Sequence, residues 1–359
     1  MATTSGGAVR VLVVGVGGAG CNAVERMALS KTDGLVFISI NTDVQALAGV
    51  HGDTTFAIGP DTTRGMGTGG NPAVGKKAAR ESREQLSRLV EDADMVFVAA
   101  GMGGGTGTGA APVIADIARR QGALTVAVVT KPFTFEGPRR QEVAYRGLQQ
   151  LRQRVDTLIT VDNDRLLSGL DSLTSLDSAF EIADQVLKQG VLGISDIVTV
   201  PGLINVDFAD VRSILAEGGL SFMATGEGRG KHAARNALDA ALSNCLFDSP
   251  LEGAQGVLMN ITGGKDLAIG EVHDVAVAIT DACGEQANVI FGTVQKRKWK
   301  RRVSITLVAT GLGNNVQSMI PQKESNPLVS AVSDVLSVAV ASKGNGHIKP
   351  AQVAAQQLL

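Results

Sequence analysis

Gly101–Pro112 reads GMGGGTGTGAAP. Across Gly101–Gly109, six of the nine residues are glycine, two are threonine and none is lysine. Glycine loses more conformational freedom on folding than any other residue, so such a run needs a use. It follows Met95–Ala100 (MVFVAA), an apolar run of strand length, and leads into PVIADIARRQG, which reads as a helix. Pro112 suits the first turn of that helix, where a missing N–H does no harm. Gly122 suits its end. A glycine turn between a strand and a helix points backbone N–H groups at an anion and adds the partial positive charge of the helix start. The run is therefore expected to cradle phosphate.

Two further turns have the same character. Val9–Val14 reads as a buried parallel strand, and CNAVERMALS as a helix; between them Gly15–Gly20 (GVGGAG) fits G-x-G-x-x-G. Leu35–Ile40 reads as the second strand. Just past it, Asp43 in NTD (Asn41–Asp43) stands where a dinucleotide fold carries its ribose acid. Alone, this pattern fits either a dinucleotide-binding enzyme or a structural turn. Arg64–Pro72 (RGMGTGGNP) is the third candidate. A dinucleotide needs one phosphate turn, whereas several at one sheet edge suit a nucleotide with two or three phosphates. Gly75–Lys76 is followed by Lys77, so no G-K-[ST] Walker loop is present. Phosphate charge is left to amides, the hydroxyls of Thr106 and Thr108, helix dipoles and Mg²⁺.

Leu124–Val129 and Leu158–Val161 continue the strand–helix alternation, which implies an α/β fold with a parallel, Rossmann-like sheet covered on both faces. Phe180, Ala183, Leu187, Val191, Ile194 and Val198 recur at helical spacing through Ser178–Val198, giving a long central helix. Beyond it GLSFMATGEG, GVLMNITGG, NVIFGTV and VSITLVATG read as strands. HAARNALDAALSN and AIGEVHDVAVAITDA read as helices among them, making a smaller α+β C-terminal domain. The expected division is a flexible start at 1–8, a nucleotide-binding domain at 9–175, the central helix at 176–200, a second domain at 201–312 and a loose tail at 313–359.

The 359 residues are 44% hydrophobic and 19% charged, with a formal net charge of −2, which speaks against a general nucleic-acid binder. Three widely spaced cysteines argue against a disulfide framework and fit a reducing cytoplasm. No stretch is apolar enough for a membrane span.

Gly103–Gly109 (GGGTGTG) resembles the signature of the tubulin/FtsZ family, and Thr108, where tubulins usually carry serine, points to the FtsZ branch. Further matches follow in order: Asn41–Asp43, Thr63–Pro72 (TRGMGTGGNP), Thr130–Arg140 (TKPFTFEGPRR), Asn163–Leu167 (NDRLL) and Asn205–Arg212 (NVDFADVR). The resemblance runs from about Val9 to Gly313. It implies a GTPase domain binding GTP or GDP, with Mg²⁺ held mainly by phosphates and water and no metal site of the protein's own. Gly17, Gly18 and Asn22 match its first nucleotide loop, with Asn41 and Asp43 after the second strand. Gly69, Gly70 and Asn71 match the γ-phosphate loop. Gly101, Gly103, Gly104, Gly105, Thr106 and Gly107 match the signature loop. Thr130, Pro132, Glu136 and Arg140 match the ribose and phosphate neighbours, and Asn163, Phe180 and Asp184 the guanine pocket. A carboxylate can accept from guanine N1–H and N2–H₂, an amide can read O6, and a phenyl ring can stack. Each also has a plainer reading. Phe180 suits a core position, Glu136 and Arg140 a surface ion pair, and Asn163 a turn.

The glycine loops supply no acid or base for hydrolysis. Asp207 and Asp210, three apart at a helix start, supply two, with Asn205 beside them; Asp210 also suits an N-cap. A helix of about 20 residues spans about 30 Å and would carry these acids away from their own phosphates. The resemblance implies that they enter the pocket of the next subunit, so that GTP is cleaved in head-to-tail protofilaments, in the cytoplasm and at the division ring. It implies membrane-tethering or division proteins as further partners, although the final AAQQLL does not resemble the family's tether-binding peptide. A non-hydrolysing accessory paralogue and a dinucleotide-dependent oxidoreductase are the alternatives. Lys296–Arg302 (KRKWKRR) departs from the family: six cations surround the only tryptophan. It reads as an exposed hairpin, either a solvated turn or a contact for an anionic partner.

Overall fold

Val11–Val16 (VLVVGV) is buried along its whole length, as a strand covered on both faces must be. The computed structural model describes residues 9–29, 34–167, 174–200, 202–216, 218–243, 251–284 and 286–311. The expected flexible start and tail lie outside them.

The strands are β1 (Val11–Val16), β2 (Leu35–Asn41), β3 (Thr54–Ala57), β4 (Met95–Gly101), β5 (Leu124–Lys131), β6 (Thr157–Asp162), β7 (Gly219–Arg229), β8 (Gly256–Gly263), β9 (Asn288–Gln295) and β10 (Arg302–Thr310). The helices are α1 (Gly17–Ala28), α2 (Val44–Ala48), α3 (Pro60–Thr63), α4 (Pro72–Glu81), α5 (Arg83–Leu89), α6 (Thr106–Arg120), α7 (Pro138–Arg152), α8 (Asn163–Leu167), α9 (Leu176–Thr199), α10 (Phe208–Leu215), α11 (Ala233–Ser243) and α12 (Ile269–Cys283). All strands join one sheet in the order β3-β2-β1-β4-β5-β6-β7-β10-β8-β9. The pairs from β3 to β7 are parallel. Strand β10 then runs antiparallel to both neighbours, and β8 and β9 are parallel. The expected parallel α/β fold is present, with a mixed sheet in its C-terminal part.

Alternate residues of β1 serve two cores. Leu12, Val14 and Val16 pack with residues of α4, α5 and α6; Val11 and Val13 pack with α1 and α9. Helix α9 buries Leu187, Val191, Ile194 and Ile197 in that second core, together with Met223, Leu258 and Val308 of the mixed half. Each such side chain contributes about 2 kcal/mol of apolar burial. Its 24 residues span about 36 Å, so one helix backs both halves of the sheet.

Three details differ from the sequence reading. Helix α6 starts at Thr106, so Pro112 lies inside it rather than in its first turn. Glycines are poor helix formers, yet here close packing requires them: a Cβ on Gly109 would lie 2.1 Å from the Pro72 carbonyl oxygen. The helix does end as expected. Gly122 has φ +88°, its N–H donates to Arg119 and the Ala123 N–H donates to Ala118, a Schellman closure. Second, Phe180 is 40% exposed and is not part of the apolar stripe of α9. Third, Lys296–Arg302 is not a hairpin. Strand β8 lies between β9 and β10, so the segment crosses over the end of β8.

Candidate functional site

The carboxyl ends of β1, β4, β5 and β6 open on a cleft of about 280 Å³. The starts of α1 and α6 both face it through Gly17, Gly18, Thr106 and Gly107, with Gly101, Gly104 and Gly105 between. Each glycine loop therefore places a helix N-terminus, an anion-binding element, at one opening. The glycines divide into two kinds. A Cβ on Gly105 would lie 2.0 Å from Thr68 Oγ1, and one on Gly107 would lie 2.6 Å from the Gly101 carbonyl oxygen. These two let the loops touch. Gly18 and Gly104 line the cleft, and a Cβ on either would meet nothing within 4 Å. They leave bare backbone facing the space a ligand would fill.

Hydroxyls gather at the same end. Thr106 Oγ1 lies 2.7 Å from Thr42 Oγ1 and 3.4 Å from Thr68 Oγ1. The Thr108 hydroxyl, expected to face phosphate, instead accepts the Gly103 N–H at 2.9 Å, because its side chain turns inward beneath the loop. The loop is thus shaped by Thr108 and fronted by Thr106.

The opposite end has different chemistry. Asn163 is 4% exposed, and its Oδ1 is buried without a hydrogen-bond partner. An orphaned acceptor of this kind costs roughly 1–3 kcal/mol until something donates to it. Asp184 is 8% exposed. Burial pushes its carboxyl up to about 6, although the Arg26 guanidinium 3.4 Å away opposes the shift. Phe180 lines the cleft and meets the buried Phe133 edge-on at 5.3 Å, with Phe135 stacked behind Phe133. An acceptor, a carboxylate and a braced aromatic face in one cleft suit a planar base that carries several donors. Between the two ends Thr130, Pro132, Glu136 and Arg140 complete the lining. Glu136 pairs with Arg140 and accepts the Phe133 N–H at 2.9 Å, so the pair is structural as well as cleft-facing.

The Tubulin/FtsZ family GTPase-domain model matches residues 10–171, and the FtsZ family C-terminal domain model matches residues 219–313. An FtsZ from M. jannaschii, solved as an empty dimer, is 40% identical, covers 88% of this chain and 90% of its own, and superposes with a TM-score of 0.83. This chain belongs to the tubulin/FtsZ family. A mutant of the M. jannaschii FtsZ matches at 40% identity over 85% of this chain and 91% of its own, with a TM-score of 0.82. CetZ1 from Haloferax volcanii, solved as a GDP-bound monomer, shares the fold at 21% identity over 90% of this chain and 100% of its own, with a TM-score of 0.74.

Within the tubulin/FtsZ fold, several expected site residues stand away from the cleft lining. Asp43 caps α2, accepting the N–H groups of Gln45 and Ala46 at 2.9 and 3.1 Å. Asn71 caps α4 through the Ala73 N–H at 2.9 Å. Asn41 is buried and accepts the Thr42 N–H at 2.8 Å. Gly103 is pressed against Arg140, and a Cβ there would lie 3.0 Å from the Arg140 carbonyl oxygen. Asn22 is exposed on α1, and Gly69 and Gly70 have left-handed backbone in the loop before Asn71. Arg26, Thr42, Thr68 and Met102 are additions to the expected set. Thr68 sits in the quoted glycine loop and was legible there. Arg26 reaches Asp184 from a helix about 160 positions earlier, and no local pattern announces it.

Asp207 and Asp210, at the start of α10, lie toward the C-terminal end of α6, with Asn205 just before them in the chain. Arg212 of α10 donates to the Gly122 carbonyl at 3.1 Å, just past the end of α6. The start of α6 lines the cleft, and its 15 residues span about 22 Å. Asp207 and Asp210 are both exposed. Asp207, not Asp210, is the N-cap residue, and its side chain makes no capping bond. Asn205 Oδ1 accepts the Gly202 N–H at 2.7 Å. Among the described residues no group of three or more His, Cys, Asp and Glu side chains could hold a metal ion.

Proposed function

We propose that the chain is an assembly-activated GTPase that polymerises head to tail and forms the cell-division ring. The observation that carries this reading is the two-ended cleft. Bare glycine amides and the Thr106 hydroxyl serve phosphates at one end; Asn163, Phe180 and Asp184 serve guanine at the other. Ionised Asp184 accepts from N1–H and N2–H₂, the Asn163 amide meets the base edge, and Phe180 stacks on its face. Mg²⁺ would arrive with the nucleotide, held by phosphate and water oxygens, and neutralise phosphate charge. Residues 9–175 act as the nucleotide domain, 176–200 as the helix behind it and 201–312 as the assembly domain.

The cleft offers no carboxylate at its phosphate end. Asp207 and Asp210 have no ion pair or carboxylate hydrogen bond among the described residues, and both are exposed at the start of α10. Stacking copies head to tail brings them to the next pocket, a heterologous contact that propagates into filaments. There Asp210 accepts a proton from the attacking water while Asp207 and Asn205 orient that water. A non-hydrolysing paralogue has no use for two exposed acids so placed. An oxidoreductase needs a ribose acid, and Asp43 is engaged as a cap. The test is GTP turnover with light scattering across protein concentration. Turnover per molecule should climb above an assembly threshold; turnover that stays constant on dilution below it contradicts the reading.

A further inference from the structure

The chain just before Asp207 and Asp210 is seated on β9. Ile204 N–H donates to Thr293 Oγ1 at 2.9 Å, and Thr293 N–H donates to the Ile204 carbonyl at 3.1 Å. Three residues beyond Thr293 the basic crossover begins. It is pinned at both ends. Lys296 Nζ lies 3.4 Å from Asp196, near the end of α9, and Arg302 Nε lies 2.7 Å from Glu227 of β7. The Trp299 ring sits between these two cations, 5.4 Å from Lys296 Nζ and 4.4 Å from Arg302 Cζ. Main-chain bonds tie the crossover to its neighbours. The Asp266 carboxylate accepts the Arg301 N–H at 2.6 Å, and the Arg301 carbonyl accepts the Gly230 N–H at 2.9 Å.

With its ends fixed, the segment holds the remaining charge outward. Lys231, Lys265, Arg297, Lys298, Lys300 and Arg301 are exposed, and none forms an ion pair among the described residues. The whole chain has a formal net charge of −2, so the rest of it is correspondingly acidic. Charge gathered so unevenly marks a surface for an anionic partner.

Head-to-tail stacking supplies that partner, and with it an electrostatic difficulty. It brings two carboxylates, Asp207 and Asp210, to a pocket that holds a triphosphate. Beside the pocket Asp164 follows Asn163, and Asp177 lies a turn before Phe180 on α9; neither has an ion pair among the described residues. Arg140, the one cation among the described residues of the cleft lining, is already paired with Glu136. Mg²⁺ offsets only part of the phosphate charge. Like charges brought together across an interface oppose docking, and cations held next to the acids offset them. Neither nucleic acid nor lipid headgroups account for cations standing beside two exposed acids; a neighbouring copy does.

We propose that the basic crossover is an electrostatic part of the head-to-tail contact, its cations meeting the nucleotide-bearing face of the next copy and offsetting the repulsion between Asp207, Asp210 and the triphosphate. This rests on the polymer reading above.

The test is light scattering of the full chain with GTP across protein concentration, at about 50 and about 300 mM salt. Wild type is compared with a variant carrying Arg297→Gln, Lys298→Gln and Lys300→Gln together. These side chains are exposed and make no hydrogen bond or ion pair among the described residues, so thermal unfolding should be unchanged. At the lower salt the assembly threshold of the variant should rise about tenfold, at about twofold per exposed charge. At the higher salt the two thresholds should converge, because the screening length falls to about half or less. GTP binding by dispersed subunits should match wild type. Glu at the same three positions should raise the threshold further. Equal thresholds at low salt overturn the proposal, as does a gap that persists unchanged at high salt. A variant that assembles normally but loses retention by duplex DNA or anionic vesicles gives the cations to another polyanion, and overturns it too. If the wild type forms no filaments at any concentration, the polymer reading fails and takes the proposal with it; filaments with equal thresholds reject the proposal alone.

Discussion

The two ends of α6 are chemically opposite. At its start, glycine amides and threonine hydroxyls face a cleft with no acid at the phosphate end. At its finish, Gly122 is latched by Arg212, and Asp207 and Asp210 stand in solvent nearby without a binding loop. On the proposed reading, neither end is an active site by itself, and separating grip from cleavage by a helix would make turnover a property of a pair of molecules.

The sharpest way to break this contrast is to disable the two ends in different molecules. Asp210→Ala should cut GTP turnover about 10²–10⁴-fold, the usual worth of a general base, with nucleotide binding and filaments retained. Asp184→Asn should cripple the cleft and keep the acids. Mixed in equal amounts, the two variants should regain turnover neither has alone, since about a quarter of randomly formed contacts join an intact cleft to intact acids. A mixture as inactive as its parts would falsify the division of labour.

Asp184→Asn sharpens the cleft itself. An amide cannot accept twice as a carboxylate does, and preference for GTP over a nucleotide lacking N2–H₂ should fall about 10²-fold, measured by competition binding. The acidity of Asp184 gives a smaller effect. Its carboxyl is raised to about 6 chiefly by burial, and the ionised form is the one that accepts from the base. GTP affinity should therefore drop about tenfold between neutral pH and pH ~5 in titration calorimetry, and the drop should vanish in Asp184→Asn. The effect on the empty fold has the opposite sign. The folded carboxyl holds its proton more tightly than the unfolded one, so its contribution to stability declines as pH rises from about 4 to about 6 and is level above.

The smallest effects compare two adjacent glycines. Gly105→Ala forces a Cβ into Thr68 and the Asn71 backbone, and should cost about 1–3 kcal/mol in thermal or denaturant unfolding. Gly104→Ala meets only open space and should leave unfolding unchanged while weakening GTP binding a few-fold. Equal unfolding in the two variants would erase the distinction between loop-packing and ligand-facing positions.

What the sequence displayed was local. The apolar runs of β1 and β4 and the glycine turns after them follow from short-range pattern, and they mark the glycine-lined end of the cleft. Strand order in the mixed half was hidden, since nothing in β9 or β10 states that β8 lies between them. The start of α6 was hidden by glycines whose low helix propensity is outweighed by packing against Pro72 and Gly101. Helical spacing counted Phe180 into the core, because periodicity reports a face and not what covers it. The Arg26–Asp184 contact joins two helices far apart in the chain, and only the fold brings them together.

Trp299 is the sole tryptophan in the chain, and it lies between Lys296 and Arg302 on the crossover, on a different element from every residue lining the nucleotide cleft. The protein's tryptophan emission, excited at the red edge of the indole band where its single tyrosine does not absorb, is therefore a built-in fluorophore signal for a single surface loop. Its colour and its quenching report on the polarity around one indole, with no label attached and no other tryptophan to dilute the reading.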